Sequence, residues 1–208
     1  VAPITVSDGP HGLRRQAGSA DNLGLAGSEP AVCFPTASAA ACSFDADLVR
    51  TMGEALGDEA REQGVAVVLG PGVNMKRSPL CGRNFEYYSE DPHLAGELAA
   101  AYIEGVQSRG VGTSLKHFAC NNQETNRLIV DAVVDERALH ELYLEPFRIA
   151  VEKARPWTMM TAYNLLDGAY CSEDAGLLAL ARDEWGFDGA YVSDWGAEND
   201  NRASLPAG

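Results

Sequence analysis

The chain has 208 residues, of which 46% are hydrophobic and 22% charged, and this is the composition of an ordinary globular protein with one sizeable core. Thirty acidic residues against sixteen Lys and Arg residues give a net charge of −14, and an acidic surface repels phosphate backbones, so nucleic acid is not an expected partner. No window holds the roughly 18 apolar residues that span a bilayer, so a membrane is not an expected partner either.

Residues 4–6 form a short β-prone run, which leads into a turn-rich loop at residues 7–14. The Gly-, Ala- and Ser-rich stretch that follows, up to about residue 41, predicts an irregular surface segment. Asp45 is a suitable cap for a helix that runs to about residue 63. The apolar face of this helix is predicted to contain Leu48, Met52, Leu56 and Ala60.

The continuous β-branched run at residues 65–70 predicts a parallel strand that is covered on both faces. A long irregular stretch follows at residues 71–90. An acid and then a proline open a helix at residues 91–109, since this pair combines a cap with the favoured first helical residue. The next strand is predicted at residues 113–116, followed by a polar loop at residues 120–127.

A helix is predicted to begin at Asp135 and to be kinked by Pro146. Residues 157–162 form the next strand, residues 174–185 a helix, and residues 190–193 a last short strand. No helical or strand pattern is found in the final segment, which consists of Ser204, Leu205, Pro206, Ala207 and Gly208.

Five or six strands thus alternate with four or five helices, which is typical of an α/β fold with a parallel sheet. A complete (β/α)8 TIM barrel has about 250 residues, so we expect a single barrel-like domain over residues 1–208 that lacks a terminal strand or two. The chain begins at Val1 and stops soon after its last strand, so we expect a piece of a longer protein. A doubly wound open sheet is the structural alternative, although no GxGxxG follows the first strand.

The odd number of cysteines, together with the absence of a CxxC spacing, predicts free thiols. Reduced thiols and the lack of a basic and apolar leader slightly favour a cytoplasmic location over a secreted one. The cysteines are Cys33, Cys42, Cys81, Cys120 and Cys171.

Polar residues are concentrated at one end of the predicted strands. Each of five lies at, or just after, the C-terminal end of a strand, and in a parallel barrel this is the face where active sites are built. They are Asp8, Lys116, His117, Tyr163 and Asp194. Arg83 lies on a long loop beside Gly82, which permits close backbone approach, and Glu86 is a suitable partner to hold its guanidinium group.

Trp157 and Trp185 lie in or beside predicted elements and are expected in the core, whereas Trp195 follows Asp194 and is expected to pack on a sugar ring. No histidine has an i,i+4 partner or a nearby cysteine pair, so neither a metal nor another cofactor is predicted. There is no GxSxG elbow, and no cysteine has an evident basic partner, so a Ser or Cys nucleophile lacks support. The histidines are His11, His93, His117 and His140.

Together these residues resemble glycoside hydrolase family 3, in its β-glucosidase branch, over nearly the whole chain. The matching segments occur in the family's order and are SDGPHGLR at 7–14, GRNFE at 82–86, SEDP at 89–92, KHF at 116–118, NNQETNR at 121–127, MTAYN at 160–164, GFDG at 186–189 and VSDW at 192–195.

The resemblance implies a barrel-like catalytic domain in which Asp194 is the nucleophile. It implies that Asp8 binds the 4- and 6-hydroxyls of the sugar and that Arg127 supports the site. The residues expected to donate to the ring hydroxyls are Arg83, Lys116 and His117. The residues expected to line the pocket near the nucleophile are Met160, Tyr163 and Trp195.

A retaining glycosidase uses two carboxyl groups roughly 5–5.5 Å apart, one as nucleophile and one as acid/base. A cation such as Lys116 or Arg83 would help to keep Asp194 ionised. In the resembling branch the acid/base is a Glu from a second domain, which we expect outside this chain; Glu86, Glu124 and Glu198 are candidates only because they are acidic.

The leading hypothesis is therefore a retaining, exo-acting β-glucosidase that acts on β-glucosides or cello-oligosaccharides. A related branch acting on N-acetylglucosaminides has a KHFPGHG-type motif, from which this chain departs after residue 118. A β-xylosidase is an alternative, less well matched because a pentose has no 6-hydroxyl for Asp8. Another alternative is a sugar-binding half that is inactive until a missing C-terminal domain or a partner chain supplies the acid/base.

Overall fold

The computed structural model describes residues 3–18 and 27–208. Its main sheet contains five parallel strands, which lie side by side in the order in which they occur along the chain. These strands are β1 (Val6–Ser7), β2 (Val67–Val68), β3 (Gly112–Phe118), β5 (Thr158–Thr161) and β8 (Ala190–Ser193). A second, three-stranded sheet has the order β4-β6-β7 and consists of β4 (Asp131–Ala132), β6 (Leu165–Leu166) and β7 (Ala169–Tyr170).

Along the described chain, every helix but the last lies between two strands of the main sheet. They are α1 (Ala37–Ala41), α2 (Ala46–Glu62), α3 (Pro92–Gln107), α4 (Glu136–Ala138), α5 (Glu145–Ala154), α6 (Ala175–Asp183) and α7 (Asn201–Ala207), with a 3-10 helix at Asn84–Glu86 and a π-helix at Leu139–Tyr143. None of the described helices is long and apolar enough to span a bilayer.

The strands of the main sheet follow one another in space as they do in the chain. A doubly wound sheet requires a point where the strand order reverses, and the described residues contain none, so that alternative is wrong. The observed order is that of a (β/α) barrel that stays open within the described residues, as predicted.

Local capping explains why the helices begin where they do. The side chains of Asp45, Asp91, Asp135 and Asp174 each accept a hydrogen bond from the backbone N–H three residues later, at 2.9–3.0 Å. This contact satisfies a donor that has no partner within the helix, which is why the aspartates mark all four starts.

Helices α2 and α3 pack against each other and cover the sheet. Their backbones approach closely where both helices carry glycine: a Cβ placed on Gly105 would lie 2.3 Å from the carbonyl oxygen of Arg50. The buried face of α2 contains Val49, Gly53, Leu56 and Ala60, whereas Leu48, predicted on the apolar face, is 45% exposed. The apolar stripe is therefore displaced from the predicted one.

Several local predictions were wrong. The helix predicted from Asp135 is divided into α4, the π-helix and α5, and Pro146 lies in the first turn of α5, where its missing N–H costs nothing. The terminal segment forms α7, which begins at the cap Asp200. Within the stretch predicted as irregular, Thr36 caps the short helix α1; residues 19–26 of that stretch lie outside the described residues.

The two tryptophans expected in the core differ. Trp185 is buried, but Trp157 is 48% exposed because it lies just before β5, at the end of the sheet remote from the polar strand ends. All five cysteines are free, as predicted, and three of them, Cys81, Cys120 and Cys171, are buried.

Candidate active site

The nine side chains expected to form the site line one cavity of about 510 Å³. Most of them lie on or just after parallel, neighbouring strands whose C-terminal ends meet at one edge of the sheet, whereas Arg83 and Arg127 reach the cavity from loops. The nine are Asp8, Arg83, Lys116, His117, Arg127, Met160, Tyr163, Asp194 and Trp195.

Asp194 follows β8 directly and its side chain is 12% exposed. Its Oδ1 accepts a hydrogen bond from the backbone N–H of Trp195 at 2.8 Å. Its Oδ2 faces two polar groups, Arg83 Nη1 at 3.9 Å and His117 Nε2 at 3.5 Å. One carboxylate oxygen is thus held by the backbone, while the other faces the cavity beside a cation.

Arg83 is oriented by two acceptors. Its Nε donates to Glu86 Oε1 at 2.5 Å, and its Nη2 lies 2.8 Å from His117 Nε2. Burial alone would lower the pKa of Arg83, but Glu86 and Asp194 raise it above its ordinary value. The predicted pairing of Arg83 with Glu86 is present, and it leaves Nη1 directed towards Asp194.

Glu86 has a second cationic partner that the sequence did not indicate. Its Oε2 lies 3.4 Å from Nζ of Lys116, whose side chain is only 3% exposed. Burial by itself would raise the pKa of Glu86, but Lys116 and Arg83 together lower it. Lys116 also faces Asp8 Oδ1 at 3.6 Å and does not pair with Asp194, so Arg83 is the cation nearest the nucleophile candidate.

His117 is buried, and its ring contacts Arg83 on one side and the Tyr87 hydroxyl on the other, at 3.0 Å from Nδ1. Burial lowers the pKa of His117 well below its ordinary value, and the positive charges of Arg83 and Lys116 lower it further. The imidazole is therefore neutral at pH 7. The backbone N–H and C=O of His117 both bond to the side chain of Asn74, at 2.8 and 2.9 Å.

Tyr163, which follows the strand next to that of Asp194, donates its hydroxyl proton to the backbone carbonyl of Trp195 at 2.9 Å. Burial and the neighbouring charge of Asp194 raise the pKa of Tyr163 to about 12. Arg127 lies 4.3 Å from the centre of the Tyr163 ring and donates to Glu124 at 2.8 Å. Arg127 thus supports Tyr163 and makes no described contact with Asp194.

None of the three glutamates considered as acid/base lines the cavity. Glu86 is held between two cations, and its lowered pKa makes it a poor proton donor at neutral pH. Glu124 bonds to Arg127, and Glu198 accepts from the Ser204 hydroxyl at 2.9 Å. In the described residues no group of three or more His, Cys, Asp or Glu side chains could hold a metal ion.

Three side chains behind the site were not recognised as part of it from the sequence: Asn74, Tyr87 and Asn121. Glu124 was considered only as an acid/base, and its contact with Arg127 was not recognised. Asn74 carried one signal that could have been used, because it is a lone amide in an apolar run after β2. The others lie in polar loops, where such residues are common.

The chain matches the model of the glycosyl hydrolase family 3 N terminal domain over residues 20–203. It is 56% identical over 209 residues to thermostable beta-glucosidase B of Acetivibrio thermocellus, covering 100% of this chain and 28% of that protein. It is 55% identical over 210 residues to the exo-alpha-(1->6)-L-arabinopyranosidase of Bifidobacterium longum, again covering 100% of this chain and 28% of that protein.

Among solved structures, beta-glucosidase 3B from Thermotoga neapolitana in complex with glucose superposes with a TM-score of 0.92 at 48% identity, covering 99% of this chain and 28% of that one. This chain therefore spans little more than a quarter of the length of these relatives. The family model covers most of the chain and the fold agrees with it. The chain accordingly belongs to glycosyl hydrolase family 3 and matches the N-terminal domain of that family.

Proposed function

We propose that this chain carries the nucleophile and the sugar-binding side chains of a retaining, exo-acting β-glucosidase that removes non-reducing terminal β-D-glucosyl residues. The observation that carries the proposal is the environment of Asp194. Its Oδ2 faces a polar cavity within 3.9 Å of an arginine that is itself fixed by Glu86 and His117.

In the first step Oδ2 of Asp194 attacks the anomeric carbon, the bond to the glycosidic oxygen breaks, and that oxygen receives a proton from a general acid. In the second step water attacks the same carbon, gives its proton to the conjugate base of that acid, and releases the Asp194 carboxylate. Arg83 favours the ionised nucleophile through its positive charge, and His117 is neutral, so it adds no second charge beside Asp194.

The acid/base is proposed to come from a second domain or a partner chain. Three observations support this: Glu86 is held by two cations, Glu124 by Arg127, and Glu198 lies outside the cavity lining. The relatives are also more than three times as long as this chain, which leaves room for a further domain. On this proposal residues 1–208 bind sugar but hydrolyse natural disaccharides slowly when alone.

The sugar is proposed to enter as one ring. The cavity volume of about 510 Å³ lies within the 300–1,000 Å³ that is usual for small-ligand sites. Trp195 is 47% exposed at its rim, where an aromatic face can pack on the apolar face of a sugar. A β-glucoside or the end of a cello-oligosaccharide is the proposed substrate.

The test is covalent trapping with a 2-deoxy-2-fluoro-glucoside that has an activated leaving group, followed by intact-mass measurement. The activated leaving group removes the need for a general acid, so trapping tests the nucleophile alone. One added fluoroglucosyl unit on the peptide containing Asp194 is expected. Asp194→Asn should abolish trapping, while Asp188→Asn, at a 71% exposed aspartate paired with Arg155, should not.

An adduct on a different residue, or an equal rate in Asp194→Asn, would refute the assignment. Adding the remaining part of the polypeptide in trans should raise the rate on cellobiose if the acid/base lies there. Absence of any gain, in a mixture shown to form a complex, would contradict the two-part site.

A pentopyranoside is the second candidate substrate, because two relatives that match 54–55% are arabinopyranosidases. Arabinopyranosides and xylosides both lack the hydroxymethyl group of glucose. Comparing aryl β-D-glucoside, β-D-xyloside and α-L-arabinopyranoside at equal enzyme concentration separates the candidates, and the proposal expects the largest kcat/KM for the glucoside.

A further inference from the structure

The hydrogen bonds of the His117 ring determine which nitrogen carries its proton. A guanidinium group has donors only, so Nε2, at 2.8 Å from Arg83 Nη2, must accept. The neutral ring has a single N–H, which is therefore on Nδ1. Nδ1 lies 3.0 Å from the hydroxyl oxygen of Tyr87 and donates to it through this N–H.

The opposite tautomer conflicts with the same distances. If the Tyr87 hydroxyl donated to Nδ1, the ring proton would be on Nε2 and would point at an N–H of Arg83 only 2.8 Å away. Two donors would then face each other in a site that is almost completely shielded from solvent, because only 1% of the surface of His117 is exposed. The nearest described acceptor for an Nε2–H is Asp194 Oδ2, at 3.5 Å, which is long for a hydrogen bond, so the two N–H groups would oppose each other at 2.8 Å in a buried site, which is costly.

Tyr87 itself is held in place. It has no exposed surface, its hydroxyl lies 3.2 Å from the side-chain amide of Asn121, and its ring is nearly perpendicular to the imidazole, at 80°. This hydroxyl contacts neither the cavity nor Asp194 in any described interaction. Its polar contacts are with His117 and Asn121.

The tautomer of His117 affects Asp194 through the orientation of Arg83. Glu86 accepts from Nε and His117 accepts from Nη2, which leaves Nη1 at 3.9 Å from Asp194 Oδ2. If Nε2 carried the proton, Arg83 would lose one of these two acceptors and its orientation would no longer be determined.

We propose that Tyr87 is a positioning residue: its hydroxyl oxygen accepts from the Nδ1–H of His117 and so stabilises this tautomer, which supplies the acceptor that aims Arg83 at Asp194. The part that concerns catalysis rests on the proposed function. The part that concerns the tautomer rests on the contacts of these residues alone, and the two parts are tested by separate measurements.

The first measurement is the ¹⁵N spectrum of protein labelled at histidine, in the full-length polypeptide that contains this chain, with the His117 signals assigned by their loss in His117→Gln. A protonated Nδ1 and a bare Nε2 are expected. Tyr87→Phe, which keeps the ring and removes the acceptor, should shift the His117 signals towards the Nε2–H form. The control is Tyr102→Phe, because the Tyr102 hydroxyl is buried with no hydrogen-bond partner in the described residues.

The second measurement is the rate of trapping by the fluoroglucoside. Tyr87→Phe is expected to lower it about 10- to 100-fold, the range found when an orienting partner of a metal-bound histidine is removed. Tyr102→Phe should stay within about twofold of the wild type. A purely structural role for Tyr87 would instead lower the melting temperature and leave both the tautomer and the trapping rate unchanged.

The outcomes separate cleanly. An Nε2–H form in the wild-type protein overturns the proposal even if Tyr87→Phe fails to fold. A tautomer shift in Tyr87→Phe without a loss of trapping rate overturns the positioning role. A tautomer shift in a protein whose wild type traps no fluoroglucoside supports the tautomer assignment and refutes the proposed β-glucosidase function.

Discussion

Replacing Glu86 by Gln tests the charge arrangement behind the site most directly. Glu86 is 5% exposed and is the shared anion of Arg83, at 2.5 Å, and Lys116, at 3.4 Å. Gln keeps the shape of the side chain but removes the charge, so two largely buried cations lose their common partner. Breaking a buried ion pair from one side costs about 3–5 kcal/mol, because the remaining charge stays buried without compensation.

We therefore expect Glu86→Gln to lower the free energy of unfolding by about 3–5 kcal/mol in urea titrations. For a domain of this size the loss corresponds to a fall in melting temperature of about 6–20 °C. The matched control is Glu97→Gln, which breaks an ion pair between a partly exposed Glu97 on α3 and an exposed Lys153 on α5. An exposed pair of this kind contributes at most about 1 kcal/mol.

The pH dependence provides a second check with a definite sign. Lys116 and Arg83 outweigh the effect of burial and lower the folded-state pKa of Glu86 below its ordinary value of 4.5. A carboxyl group with a lowered pKa stabilises the fold above its unfolded pKa, and this stability is lost as the pH falls through the folded pKa. The stability difference between wild type and Glu86→Gln should thus be full above about pH 5 and shrink in acid. A difference equal to that of Glu97→Gln at pH 7 would refute the reasoning.

Three further substitutions give independent tests. Asp8→Asn should lower kcat/KM for an aryl β-D-glucoside about 10- to 150-fold, because a charged hydrogen bond is lost. The loss should be smaller for a β-D-xyloside, because this substrate has no 6-hydroxyl. Equal losses for the two substrates would argue against the expected role of Asp8. Tyr163→Phe removes a 2.9 Å hydrogen bond to the backbone next to the nucleophile candidate. Steady-state kinetics should therefore show kcat reduced about 2- to 10-fold. An unchanged kcat would contradict a role for this hydrogen bond. Gly105→Ala places a methyl group 2.3 Å from the Arg50 carbonyl oxygen and should lower the free energy of unfolding in urea by about 1–3 kcal/mol. The control Gly176→Ala meets only a carboxyl oxygen at 3.3 Å and should lower it much less. Similar values for the two variants would show that the contact between α2 and α3 is not tight.

Features that depend on neighbouring residues were readable from the sequence. The four capping aspartates located the helix starts because the cap is a contact between residues three apart. The strand runs that end near Lys116, Tyr163 and Asp194 identified the edge of the sheet at which polar side chains gather. The parallel α/β architecture followed from the alternation of these elements, and the family followed from the order of the motifs.

Other features were decided by contacts between distant parts of the chain. The sequence suggested Arg83 with Glu86, three residues apart, but Lys116 joins the same carboxylate from 30 positions away. Neighbours in a regular strand point to opposite faces, yet Lys116 and His117 both line the cavity, because the pairing of β3 with β5 shifts register there.

The sequence by itself therefore determined the alternation of the main strands and helices, the type of the main sheet and the set of polar residues at its C-terminal edge. The tertiary structure decided which of those residues pair, so that Arg83 rather than Lys116 faces Asp194. It also decided which ring nitrogen of His117 carries the proton. The reason is physical. Caps, turns and hydrophobic periodicity arise from interactions along a few residues, whereas the charge state, tautomer and orientation of a buried side chain depend on every group packed around it.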